Sequence, residues 1–150
     1  MNPSDTGSGK PLPEPSDIAL PFWTALRAGQ LHLQQCNSCG HFNHPPRISC
    51  PQCHGKAFSW TQVAPRGTVY SYTIVHRAPM PAFKADLPYA VALVDIEGTS
   101  VKLLSNLLAS TDHVHVGMPV DVVFEPASDA ITLFKFVPAE QTREACRAQN

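Results

Sequence analysis

The residues best placed to do chemistry are four cysteines. Cys36-x-x-Cys39 is followed after ten residues by Cys50-x-x-Cys53. Two thiolates two residues apart can turn toward one ion, and two such knuckles complete a tetrahedron around it. Gly40 and Gly55 follow close behind the pairs, where the chain must turn tightly. Four sulfur ligands close the coordination shell, which suits a structural Zn²⁺ and leaves no position for a catalytic water. Iron in a rubredoxin-like redox site would use the same ligands, but nothing else in the chain hints at an electron partner. His41, His44 and His54 lie nearby and are expected at the surface or behind the ligands.

The remaining residues offer little catalytic apparatus. No Ser-His-Asp order, phosphate loop or pair of catalytic carboxylates stands out. Cys146 lies in a polar tail without the structured electropositive pocket a reactive thiol requires, and it is assigned no role. The first 17 residues carry Asp5, Glu14 and Asp17 and lack the apolar core of a secretory signal. The longest apolar runs, such as 89–94, have the length of a strand rather than of a membrane span. A cytoplasmic protein is expected, with its cysteines serving a metal rather than disulfides.

Charge is unevenly distributed within a net of −1. Residues 18–85 contain no acid, yet include Arg27, Arg47, Lys56, Arg66, Arg77 and Lys84. Residues 86–150 hold nine acids against Lys102, Lys135, Arg143 and Arg147. A tetrathiolate zinc site carries −2, which leaves the first stretch near +4, a field suited to a polyanionic ligand or an acidic surface.

These residues need a scaffold, and the pattern supplies one. Hydrophobic residues make up 43% of the chain and charged residues 15%, enough apolar material for a core. Fifteen prolines argue against a helical bundle. Residues 1–17 read as a disordered tail. In 18–30, Pro21 suits a first helical turn, Gly29 suits the position past its end, and Phe22 and Leu26 share a face with Trp23 beside them. Residues 31–62 form the zinc ribbon, entered by the extended segment of Leu31 and Leu33 and closed by a strand through Phe58 and Trp60. A segment this short rarely folds without metal or crosslinks. Five strands follow within 63–138, at 68–76, 89–97, 101–108, 120–125 and 131–137, with a hairpin turn at Glu97-Gly98-Thr99. Five short consecutive strands suggest a small closed barrel of the OB type. Residues 139–150 form a polar C-terminal tail. The fold class expected is therefore mainly β: a short N-terminal helix, a zinc ribbon and a five-stranded OB-fold barrel.

Several of these motifs together resemble the DUF35 family. They are Pro21-Phe22-Trp23 with Gly29, the two knuckles, Pro45-Pro46-Arg47 between them, and Gly67-Thr68-Val69-Tyr70-Ser71. Pro88-Tyr89, Glu97-Gly98 and Val116-Gly117-Met118-Pro119-Val120 fit the same pattern. The likeness covers about residues 18–138. It implies a rubredoxin-like zinc ribbon followed by an acyl-CoA-associated OB-fold. It also implies a non-catalytic accessory subunit in a hetero-oligomer with a thiolase-like enzyme: a ketoacyl-CoA thiolase, a lipid-transfer-type aldolase or an acyltransferase.

A coenzyme A thioester is the ligand that this resemblance implies, and its phosphates would favour the basic stretch. Arg47, Arg66, Arg77 and Lys84 are the candidates for phosphate contact, and Phe22, Trp23 and Tyr72 for stacking or an apolar path. One alternative is a single-stranded nucleic-acid-binding module, since OB barrels and zinc ribbons both serve that purpose. A pI near 6.6 and strands bearing Asp95, Glu97, Asp121 and Glu125 stand against it. Another alternative is a purely structural adaptor.

Overall fold

A computed structural model describes residues 9–142 of the 150-residue chain. The disordered tail expected at the N-terminus lies in part outside these residues, as do Cys146 and most of the polar C-terminal tail. From Gly9 to Ser16 the chain has no regular structure, but Lys10 is ion-paired with Asp86 and lies over the Phe83 ring.

The first helix, α1, spans Leu20–Arg27 with Pro21 in its first turn. Its end forms a Schellman cap: the Gln30 amide donates to the Ala25 carbonyl and the Gly29 amide to that of Leu26, with Gly29 at φ +69°. Phe22, Ala25 and Leu26 are the buried face.

A three-stranded antiparallel sheet follows, in the order β2-β1-β3, made of β1 (His32–Cys36), β2 (Phe42–Asn43) and β3 (Phe58–Gln62). Cys36 ends β1, so the sheet holds one side of the first knuckle directly. The two-residue strand β2 is an addition to the expected ribbon. It arises because the chain leaving the first knuckle runs back along β1, with Gln35 opposite Phe42.

Five strands then close a barrel in the order β4-β5-β6-β8-β7: β4 (Arg66–Val75), β5 (Tyr89–Ile96), β6 (Lys102–Leu107), β7 (Pro119–Pro126) and β8 (Thr132–Pro138). β5 shows why the pattern was readable. Ala90, Ala92, Val94 and Ile96 are buried while the residues between them are half-exposed, the period-2 alternation of a strand with one face on a core. The barrel closes through the short parallel pairing of β6 with β8 and through β4 on β7. Gly67 lets the start of β4 lie close against β5. A β-carbon there would lie 2.1 Å from the Asp95 carbonyl oxygen, a close backbone approach only glycine permits.

α1 joins the two units. Phe22, 2% exposed, packs edge-on to Phe134 of β8 at 5.9 Å between ring centres, and it also meets His44 of the ribbon at 4.9 Å. No helix among the described residues is long and apolar enough to cross a membrane.

Candidate metal centre and the cleft beside it

The two knuckles bring the sulfurs of Cys36, Cys39, Cys50 and Cys53 within 4.8 Å of one another. Cys36 lies 3.5 Å from Cys53 and Cys39 lies 3.7 Å from Cys50, sulfur to sulfur. A tetrahedron with Zn–S bonds of about 2.3 Å has edges of about 3.8 Å, so the cluster fits a single Zn²⁺.

The two knuckles are built alike. The Gly40 amide donates to the Cys36 carbonyl, and the His54 amide donates to that of Cys50. Both residues take the left-handed conformation, Gly40 at φ +75° and His54 at φ 61°. The second glycine, Gly55, serves a different purpose. A β-carbon on it would meet the sulfurs of Cys53 and Cys36 at 3.3 and 3.4 Å and the Ser38 hydroxyl at 3.0 Å. Backbone at Gly55 thus lies directly against the metal-binding sulfurs.

The electrostatics also call for a cation. The amide of Cys39, followed by that of Ser38 and the Cys53 thiol, holds the Cys36 thiol down to about 6 against the opposing effect of burial. At Cys39 the His41 amide pulls the same way, but Cys53, burial, Cys50 and Cys36 outweigh it and push the thiol up to about 12. Four sulfurs this close ionise together only when a dication replaces their protons.

The other candidates are scattered. Phe22 is core, so the ligand contact expected of it is corrected to a packing role between helix, ribbon and barrel. Trp23 is half-buried against the same core. Tyr72 is on β4 and partly exposed. Arg66 opens β4, near Glu97 at 3.9 Å, while Arg77 follows the strand's far end. About 36 Å of extended chain separates these two arginines. Lys84 lies in the 3₁₀ turn Pro81–Asp86 between β4 and β5. A single bound phosphate cannot engage all four cations.

Arg47 lines a cleft. This cleft, about 290 Å³, lies between the ribbon and the β5–β6 turn, with His41, Asn43, His44, Arg47, Ser100 and Lys102 in its wall. Lys102 was not among the residues singled out from sequence. It lies in the acidic half, 66 positions from the first knuckle cysteine, and only the folding of the hairpin onto the ribbon brings it to Arg47. Burial lowers His44 below its ordinary 6.5.

Comparison with known proteins agrees with this architecture. The ChsH2 rubredoxin-like zinc ribbon model matches residues 23–59, and the ChsH2 C-terminal OB-fold model matches 60–125. A probable enoyl-CoA hydratase alpha subunit of Thermomonospora curvata is 40% identical over 83% of this chain. The chain spans 39% of that relative's length. A DUF35 domain-containing scaffold protein of Methanocaldococcus jannaschii is 31% identical over 71% of this chain and 79% of its own. Among solved structures, a chain of the Ltp2-ChsH2(DUF35) aldolase superposes with a TM-score of 0.76 at 33% identity, covering 85% of this chain and 99% of that one. A zinc-ribbon sheet with its four-cysteine cluster, followed by a closed five-stranded barrel, thus places the chain in the DUF35 family, to which it belongs together with ChsH2.

Proposed function

We propose that this chain is a non-catalytic accessory subunit, held by structural zinc, that assembles with a thiolase-like enzyme acting on acyl-CoA in the cytoplasm. The observation that carries the reading is the match over 99% of a chain of the Ltp2-ChsH2(DUF35) aldolase. The scaffold protein of Methanocaldococcus jannaschii and the hydratase alpha subunit of Thermomonospora curvata support the same kind of role.

The barrel surface favours a protein partner over a nucleic acid. On the outer face of β5 and β6, Leu93 lies opposite Leu104, which is 63% exposed, and Val91 lies opposite Asn106. Strand-bound nucleic acid asks for cations and stacking aromatics on such a face. The exposed Leu104 beside the half-buried Leu93 suits a protein surface, and the cation nearby, Lys102, is already paired with Asp95.

Affinity purification of the chain from its native host tests the proposal. A thiolase-like enzyme is expected to co-purify in stoichiometric amount. Recovery of the chain alone, or with nucleic acid lost steeply as salt rises, overturns it.

A further inference from the structure

Buried residues alternate along β5, but in the second half of β4 the alternation fails. Tyr70, Ser71, Tyr72 and Thr73 are all exposed, so both faces of the strand are open there. The way the barrel closes explains why. β7 pairs with β4 only from Arg66 to Thr68. The last bonds across that seam run from the Val69 amide to the Met118 carbonyl and from the Gly117 amide to the Val69 carbonyl. Beyond Val69 the strand continues to Val75 with β5 on one side. Its other edge has no backbone partner among the described residues.

The register identifies the groups that face outward. The Glu97 amide donates to the Arg66 carbonyl and the Ile96 amide to that of Val101. Odd-numbered residues of β5 therefore turn their backbone to β4, and even-numbered ones to β6. Ser71, Thr73 and Val75 stand opposite Leu93, Val91 and Tyr89, which makes them the residues bonded to β5. The amides and carbonyls of Tyr72 and Ile74 point away, unpaired.

Proteins blunt a free edge of this kind with lysine, proline or a bulge. Residues 70–75 contain no charged residue and no proline, and the bulge between Val69 and Ser71 lies before the open stretch. Tyrosine, threonine, isoleucine and valine there are strand formers. The edge is also continuous with the leucine-bearing face of the barrel. Ser71 lies opposite Leu93, and Leu93 opposite the exposed Leu104. Two strand spacings, about 10 Å, separate Leu104 from β4.

We infer that a strand of the enzyme partner adds to this edge, pairing its backbone with Tyr72 and Ile74 and placing an acid near Arg77. The inference rests on the accessory-subunit reading and names the contact that joins the two chains. Four outward backbone groups supply main-chain hydrogen bonds, while the side chains beside them set specificity. Arg77 follows the end of β4, exposed and with no carboxylate within ion-pair distance among the described residues. A second copy of this chain is the poorer occupant, because its own β4 brings the same arginine and residues 18–85 contain no acid.

Amide hydrogen exchange tests the pairing, read residue by residue on the zinc-loaded full chain alone and in complex with the enzyme that co-purifies with it. Alone, the Tyr72 and Ile74 amides should exchange fast and the Thr73 amide, bonded to β5, slowly. In the complex Tyr72 and Ile74 should become protected. Tyr72→Pro deletes one outward donor without breaking a bond to β5, and should weaken the complex about ten-fold at unchanged zinc content. Tyr72→Val keeps the amide and should bind as the wild type does. Arg77→Glu should slow association, and an unchanged rate overturns the acidic end of the proposal. Amides that stay fast in the complex overturn the strand addition and leave the accessory role standing, as does equal affinity in Tyr72→Pro and Tyr72→Val. The exchange comparison uses wild-type protein, so it decides the matter even where proline disturbs the hairpin. Protection already present in the isolated chain, with sedimentation as a dimer, gives the edge to a second copy and overturns the proposal. Absence of any co-purifying enzyme overturns the accessory role itself.

Discussion

His54 and Gly55 sit side by side behind the second knuckle and make opposite demands on the chain. His54 adopts φ 61°, a conformation that costs a residue with a β-carbon about 1–2 kcal/mol, whereas its counterpart in the first knuckle is a glycine, Gly40. His54→Gly is therefore expected to raise stability by up to about 1 kcal/mol, because relief of strain exceeds the entropy added to the unfolded chain. Gly55→Ala should do the reverse and lower both stability and zinc affinity, since its methyl would press on the sulfurs of Cys53 and Cys36. Paired urea melts with zinc analysis check both signs. A third residue ties stability to pH. His44 is half-buried against Phe22, and partial loss of water makes its folded form resist protonation. Above 6.5 the ring is neutral in both states and costs nothing; as pH falls below 6.5 the unfolded ring takes a proton that the folded one refuses, and stability is lost. His44→Gln should lose less stability than wild type between pH 7.5 and 5.5, with zinc content followed in both. Equal losses would assign the acid sensitivity elsewhere.

The ribbon and the barrel were readable from sequence to different depths. Paired knuckles announce a metal because few other structures need four cysteines at that spacing, and β5 announces a strand because its buried residues alternate without a break. A small closed barrel was legible in five short consecutive strands, and the structure has one, but the pairing that closes it was not visible. The parallel contact of β6 with β8 joins residues 29 apart, Leu107 and Phe136, and no local pattern encodes such a pairing. The phosphate candidates show the same limit. Arg47 stood out through the Pro45-Pro46-Arg47 motif, but Gln34, whose side chain clamps the Arg47 peptide, reads as an ordinary strand residue. Loss of one metal ligand should act on the ribbon as a unit. A structural zinc in a small module contributes roughly 10–16 kcal/mol to folding, so Cys39→Ser is expected to unfold residues 31–62 and abolish partner assembly. A variant that keeps its zinc stoichiometry and its partner would contradict this. The barrel has its own vulnerable point at Gly67, where an alanine methyl would collide with the Asp95 carbonyl. Gly67→Ala should open the β4–β5 seam at a cost of roughly 3 kcal/mol or more, read as a fall in melting temperature.

Taken as one molecule, the two units are held in register by Phe22, which touches Phe134 of the barrel and His44 of the ribbon. That arrangement suits a subunit whose task is to present surfaces in fixed relation. Four thiolates would close the shell of a zinc ion, and His32 and His115 bond the Gln30 side chain and the His113 carbonyl rather than a hydroxyl or thiol. The purified, zinc-loaded chain is accordingly expected to show no turnover of acyl-CoA, while the complex with its thiolase-like partner does. Phe22→Ala separates this from simple presence of the subunit. Removing the ring should cost about 3–5 kcal/mol and loosen ribbon from barrel. At a temperature where circular dichroism still reports folded barrel and zinc remains bound, that variant should bind the partner less tightly and lower the activity of the complex. Robust turnover by the isolated chain would overturn the accessory role, and full complex activity with Phe22→Ala would show that the fixed relation of the two units is not required.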